Sequence, residues 1–262
     1  MSYQRITLQF DGPVAVLSFN HPEVLNAIGQ VMLSELSQAV REVANAANGA
    51  RCLLLTGNGR AFCAGANLAD DAPKPAGSQT GDVLRTGYHP LLMELRDLPM
   101  PMVSAVHGAA AGVGMSLAVM ADMVCASRSA YFLQAFGRIG LVPDGGATYL
   151  LPRLVGWRRA VELSMMAEKL PAEKALEWGL INRLFDDEAA LQTGAMAIAR
   201  QLANGPRSLG LMRRAYWESA TNSYEQQLDL EARLQRQAGQ TEDHREGVGA
   251  FLAKRPAQFT GR

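Results

Sequence analysis

The chain has 262 residues, 48% hydrophobic and 19% charged, and its 25 Lys and Arg balance 25 Asp and Glu. That length buries a substantial core in one large domain or two small ones, and zero formal charge leaves no global field to draw the protein to nucleic acid or an anionic membrane. The three cysteines, Cys52, Cys63 and Cys125, are odd in number and widely spaced, which fits reduced, buried thiols and no zinc cluster. The start, MSYQRITLQFDG, lacks a basic segment followed by an apolar one, and no run of about 18 apolar residues occurs. A cytoplasmic protein without membrane or nucleic-acid partners is the expectation.

Period-two alternation predicts strands over Ile6 to Phe10 and Val14 to Phe19, split by the turn Asp11-Gly12-Pro13, and helical spacing predicts a helix over Asn26 to Ala47. The apolar run Arg51 to Thr56 reads as a buried strand that stops at Gly57-Asn58-Gly59. Asp70 to Gly81, rich in Pro, Gly and acid, reads as a mobile surface segment, with a helix over Asp82 to Leu98 after it. A strand is expected at Pro101 to Val106, a small-residue loop at Gly108 to Gly114, a helix at Met115 to Ala121, and strands at Met123 to Ala126 and Tyr131 to Gln134. Such alternation argues for an α/β layout. From Arg158 onward helices dominate, at Ala160 to Met166, Pro171 to Trp178, Glu188 to Asn204, Pro206 to Ser219 and Tyr224 to Gln240, with Ile181 to Phe185 as the remaining strand.

Three loops carry small residues in patterns that suit chemistry. Gly59 to Leu68 (GRAFCAGANL) lets a ligand approach the backbone, although a tight strand-to-helix turn explains it equally. His107 to Met115 (HGAAAGVGM) runs into a helix whose free N–H groups favour negative charge; as a dinucleotide fingerprint it fails, because the third glycine and the acidic ribose partner are missing. Gly137 to Thr148 (GRIGLVPDGGAT) contains Pro143-Asp144-Gly145, where Asp144 reads locally as a turn former or helix N-cap.

The order and spacing of these loops, with Asn20-His21-Pro22, Asn26-Ala27, Ala121-Asp122, Leu151-Pro152-Arg153 and the tail Phe251 to Pro256, resemble the enoyl-CoA hydratase/isomerase, or crotonase, superfamily nearly end to end. The resemblance implies a crotonase-like spiral of repeated ββα units over residues 1–200, a helical trimerisation region over 201–262, and a homotrimer or dimer of trimers. It implies an acyl-CoA thioester as substrate, no separate cofactor because coenzyme A is part of that substrate, and no metal. It places the two backbone N–H groups of an oxyanion hole at Ala66 and Val113, with Ala64, Gly65, Asn67, Leu68, Gly112 and Phe136 lining the site. It also places Phe251 and Lys254 where a neighbouring subunit reaches the coenzyme A. Two preorganised donors stabilise the enolate formed when a proton leaves the carbon beside a thioester, and losing one costs about 3 kcal/mol in comparable sites.

Hydratases of the superfamily use two glutamates, and an ungapped alignment of the loops puts Ser116 and Phe136 at those positions, so hydration is disfavoured. Asp144 then carries the proton, at a position where some members hold a catalytic aspartate, and one carboxylate suits a shuttle between two carbons. Within the superfamily, LVPDGGAT, Arg51 to Gly65, Leu228 to Gln235 and DHREGVGAFLAKRPAQFTG resemble the isomerases that convert ring-1,2-epoxyphenylacetyl-CoA to oxepin-CoA. A Δ3,Δ2-enoyl-CoA isomerase or enoyl-CoA hydratase of β-oxidation is the alternative, and a noncatalytic CoA-ester-binding subunit is the alternative of another class.

The other polar candidates read more plainly. Ser116 lacks a GxSxG elbow and an evident base among His89, His107 and His244, so it is read as a helix-packing serine. Asp122 is expected to satisfy backbone donors at a helix-to-strand junction, and Cys63 to be a buried small residue. Tyr88 and His89 are placed at the acyl pocket.

Overall fold

The computed structural model describes residues 3–69 and 80–262. In chain order the elements are strands β1 (Ile6–Asp11) and β2 (Val14–Phe19), helix α1 (Gln30–Ala44), strand β3 (Cys52–Gly57), helices α2 (Thr80–Val83) and α3 (His89–Arg96), strands β4 (Met102–Val106) and β5 (Ala109–Ala111), helix α4 (Val113–Val119), and strands β6 (Met123–Ser127) and β7 (Tyr131–Leu133). Then come helices α5 (Ala147–Val155) and α6 (Trp157–Met166), the two-residue strand β8 (Leu170–Pro171), helix α7 (Ala172–Glu177), strand β9 (Arg183–Phe185), and helices α8 (Glu188–Ala203), α9 (Ser208–Ser219), α10 (Tyr224–Gly239) and α11 (Glu242–Leu252).

The larger sheet runs β1-β2-β3-β4-β6-β9 and a smaller one β5-β7-β8. Only β1 is antiparallel in the larger sheet, paired to β2 from Ile6 opposite Phe19 to Asp11 opposite Val14; the other neighbours are parallel. Strand β3 is buried along its whole length, as a parallel strand covered on both faces must be. Alternation then sorts its side chains: Leu53 and Leu55 join the main core with Met32, Leu36, Leu91 and Met115, while Cys52 and Leu54 join a second core with Val103, Ala105 and Cys125.

Helix α8 closes that second face. It presents Leu191, Ala195, Ala199 and Ala203 at four-residue spacing, all with no exposed surface, so its alanine stripe lets the helix lie close on the sheet. All three cysteines are free and buried. Among the described residues no helix is long and apolar enough to cross a membrane.

The differences from expectation are local. The first helix begins at Gln30 rather than Asn26, because Leu25 and Asn26 take left-handed backbone angles (φ 55° and 58°) that no helix continues. The small-residue stretch at Gly108 to Gly114 is a strand, β5, followed by a helix that starts at Val113 instead of Met115. The helix expected over Asp82 to Leu98 is interrupted by a π-helical turn at Leu84–Tyr88. Strand β8 escaped notice because Leu170–Pro171 pairs only with Tyr131 and Phe132, and α5 because its first turn follows three residues rich in turn signals. Of the surface segment Asp70 to Gly81, residues 70–79 lie outside those described, and Thr80 and Gly81 open α2.

The α8 stripe gives a direct test. Ala199→Leu overfills a contact with no free volume and lowers unfolding free energy by about 1–3 kcal/mol in urea titration; an unchanged midpoint would place α8 off the sheet.

Candidate active site

The segment after β3 is held on both sides. On one side Ala64 N–H donates to Leu25 O (2.9 Å), Ile28 N–H to Gly65 O (2.7 Å) and Asn67 N–H to Ile28 O (3.0 Å). On the other, Cys63 N–H donates to Ala109 O and Ala111 N–H to Cys63 O, both at 2.9 Å, as a parallel bridge onto β5. Asn26 braces the approach. Fully buried, its amide nitrogen reaches Ala61 O (2.7 Å) and Asn58 O (2.9 Å), and its Oδ1 accepts His21 N–H (2.8 Å). Its left-handed backbone is one that asparagine tolerates well. Between these anchors, Ala66 N–H has no acceptor among the described residues.

The second donor comes from the neighbouring turn. Gly112 donates its N–H to Leu133 O (2.8 Å) and precedes α4, and Val113, first in that helix, has an N–H with no intrahelical acceptor. The two segments touch: a β-carbon on Gly65 would lie 2.9 Å from Ala111 O and 3.7 Å from the Gly112 Cα. Gly114 is demanded by the same contact, since a β-carbon there would fall 2.4 Å from Cys63 O and 2.8 Å from its Sγ. Cys63 is accordingly inert packing, its thiol pushed up to about 12 by burial.

Asp144 closes the group from a third direction. Its carbonyl accepts Ala147 N–H (3.0 Å) in a turn, while Gly146 rather than Asp144 is the N-cap of α5, which corrects the cap reading and leaves the side chain unspent. The same carbonyl accepts the hydroxyl of Ser116 on α4 (3.1 Å). The carboxyl's Oδ1 is buried without a hydrogen-bond partner. Burial raises this group from 3.8 to about 6, with the nearby His89 pulling in the opposite direction. Phe136, 7% exposed, packs its ring toward Gly112. The arrangement thus combines two unclaimed backbone donors on touching segments with one poorly solvated carboxyl, the elements needed to form and reprotonate an enolate.

A cavity of about 1130 Å³ opens beside this group. His89, Gly145, Gly146, Tyr149 and Trp217 of α9 line it; Ala66, Val113 and Asp144 do not. His89 lines this cavity and acts on the Asp144 charge, whereas Tyr88 is buried with its hydroxyl on Ile28 O (3.3 Å). Asn67 caps Ala69 N–H with its side chain, and Leu68 is 73% exposed at the rim. Phe251 and Lys254 are not brought to the donors by their own chain: Phe251 lines a separate cleft of about 390 Å³ with Met212 and Val248.

Two structural residues matter here. Asp122 accepts Met102 N–H (2.7 Å) and the Arg213 Nε–H (2.8 Å), tying α9 to the junction of β4 and β6, as its position after a helix suggested. Asn26 stands out in the sequence only as part of a motif, although an asparagine followed by small residues between a strand and a helix is the available signal for such a brace.

The enoyl-CoA hydratase/isomerase family profile matches residues 9–262. A 1,2-epoxyphenylacetyl-CoA isomerase of Escherichia coli is 46% identical over 95% of both chains, and a protein named "Probable enoyl-CoA hydratase" from Rhodobacter capsulatus is 45% identical over the full length of both. The crystal structure of an enoyl-CoA hydratase from Bacillus anthracis superposes with a TM-score of 0.89 at 28% identity, covering 99% of this chain and 100% of that one. The chain belongs to the enoyl-CoA hydratase/isomerase family, with a crotonase fold, and is an enzyme of acyl-CoA isomerase or hydratase type.

Two outcomes follow. Asn26→Ala strands buried carbonyls and lowers unfolding free energy by on the order of 3 kcal/mol, read by urea titration; a loss below about 1 kcal/mol would remove Asn26 as the brace. Because the folded Asp144 carboxyl keeps its proton to about pH 6 against 3.8 unfolded, the folded state binds more protons, and ionising the group costs stability as pH rises through that window. Asp144→Asn therefore gains melting temperature relative to the parent at pH 7.5, and the gain shrinks at pH 4. An equal difference at both pH values would contradict the raised carboxyl.

Proposed function

We propose that this enzyme isomerises an acyl-CoA thioester, that Ala66 and Val113 N–H receive the thioester oxygen, and that Asp144 carries the proton. The observation that carries the reading is the half-buried Asp144 carboxyl with an unpartnered oxygen, on a turn that packs against α4 through Ser116 and Gly145. A proton acceptor near pH 6 is matched to both taking and returning a proton at neutral pH.

The proposed substrate is ring-1,2-epoxyphenylacetyl-CoA and the product oxepin-CoA. Asp144 takes the proton from the carbon beside the thioester, and the C–H electron pair becomes the enolate double bond while the carbonyl pair moves onto oxygen. Those electrons drive opening of the fused three-membered ring into the seven-membered one, and Asp144 returns its proton to the rearranged skeleton, so no atom is gained or lost. The named activity of the 46% identical relative supports this acyl group. The same shuttle shifts the double bond of a 3-enoyl-CoA, which is the second reading. No further cofactor enters this scheme.

The assembly proposed is a homotrimer or dimer of trimers built on residues 201–262. Tyr216 (80% exposed), Tyr224 (75%) and Phe251 (82%) leave apolar surface there of the kind that oligomer contacts cover, and Lys254 would meet a neighbour's coenzyme A.

Turnover of the epoxide thioester, 3-enoyl-CoAs and crotonyl-CoA separates these readings. The isomerase is expected to convert the first and to hydrate crotonyl-CoA poorly, and Asp144→Asn to keep CoA-ester affinity while losing turnover about a thousandfold. Near-normal turnover in Asp144→Asn would overturn the assignment; tight binding with no turnover of any ester by the parent enzyme would favour a noncatalytic role.

A further inference from the structure

Ser116 stands where the resemblance puts a hydratase glutamate, and the sequence offers no role for it beyond packing. In the structure it has no exposed surface, and its hydroxyl donates to the Asp144 carbonyl at 3.1 Å. It lies one helical turn beyond Val113 on α4, so the two residues share a face. Gly145 packs on both: with φ at +62°, a β-carbon there would sit 2.8 Å from Ser116 Cβ and 3.1 Å from Val113 Cγ2. The turn is closed internally by Ala147 N–H on the same Asp144 carbonyl (3.0 Å). Its shape therefore does not depend on Ser116, whereas its attachment to α4 does.

We propose that Ser116 is a positioning residue for the reaction, whose hydroxyl fixes the Asp144 turn to α4 and so sets the distance between the proton carrier and the Val113 N–H. This rests on the isomerase reading above. One short helix then carries the second donor at its start and the tether for the acid one turn later, and neither can shift without the other. Released from the tether, the turn lifts toward solvent and the Asp144 carboxyl regains water.

Among the described residues, the titratable groups around Asp144 lie on α3 and along the adjoining cavity. His89 from α3 acts directly on its charge, and α4 and Phe136 contribute neutral groups. Arg96, Asp97, Tyr149, Arg207, Arg214 and Glu218 line the cavity beyond Gly145 and Gly146.

The test compares Ser116→Ala, Ser116→Thr and Asp144→Asn in steady-state turnover of the preferred thioester from pH 4.5 to 8.5. Ser116→Ala is expected to lose at least tenfold in kcat with KM within threefold of the parent and a nearly unchanged melting temperature. The acid limb of its kcat/KM profile should move from near pH 6 toward the ordinary carboxylate range. Ser116→Thr, which keeps the hydroxyl, should restore both. If Ser116→Ala does not fold, Ser116→Cys, nearly isosteric with a weaker donor, replaces it under the same criteria. A kcat within twofold of the parent, an unmoved acid limb, or a threonine variant as impaired as the alanine one would overturn the proposal. Asp144→Asn separates the two failures: if it too turns over normally the isomerase reading falls, whereas an inactive Asp144→Asn beside an unimpaired Ser116→Ala refutes the tether alone.

Discussion

The pairing of Cys63 with Ala109 and Ala111 holds two otherwise separate loops at backbone distance, and the rest of the site depends on it. A strand bridge of this kind uses up the polar groups of Cys63 and fixes its neighbours by geometry. Gly65 and Gly112 can then approach each other, and Gly114 must lack a side chain because the Cys63 carbonyl occupies that space. Ala66 and Val113 are left with N–H groups that the fold does not consume. Val113 is buried, where an unmet donor is costly, whereas Ala66 is exposed; in the proposed complex a ligand oxygen would meet both.

The same economy governs Asp144. The half-buried carboxyl loses water and gains no donor at Oδ1, so burial outweighs the opposing influence of His89 and raises the group to about 6. A paired or solvated carboxylate would have been better for folding and too weak a base for an α-proton. The turn that presents it satisfies its own backbone internally and is pinned from outside by Ser116. Local stability and chemical readiness are thus assigned to different atoms of one residue.

Much of this was legible in the sequence, and the limits have physical reasons. Alternation and helical spacing report which face of an element is buried, so β2, β3, β4 and the long C-terminal helices were readable within a residue or two. Strand β8 and the start of α4 were not, because two-residue pairings and a helix opened by glycine leave no periodic signal. The family resemblance nominated Ala66, Val113 and Asp144 from short motifs, yet Asp144 alone looked like a turn residue, and it is one: its backbone makes the turn and its side chain is surplus. Ser116 reads as packing in the sequence because its partner lies 28 positions away. His89 carries no local signal of its own, and its effect on the Asp144 charge is visible only in the fold. The role proposed for Phe251 and Lys254 needs a second chain, which sequence pattern in one chain does not position.

The central claim is that the two free N–H groups and Asp144 together make and quench an enolate beside a thioester. Exchange of the α-protons of phenylacetyl-CoA, which lacks the epoxide, in D2O, followed by proton NMR, measures that step without requiring any later rearrangement. The account predicts enzyme-dependent loss of the α-proton signal that rises through about pH 6 and is abolished in Asp144→Asn. Exchange that persists undiminished in Asp144→Asn would contradict it.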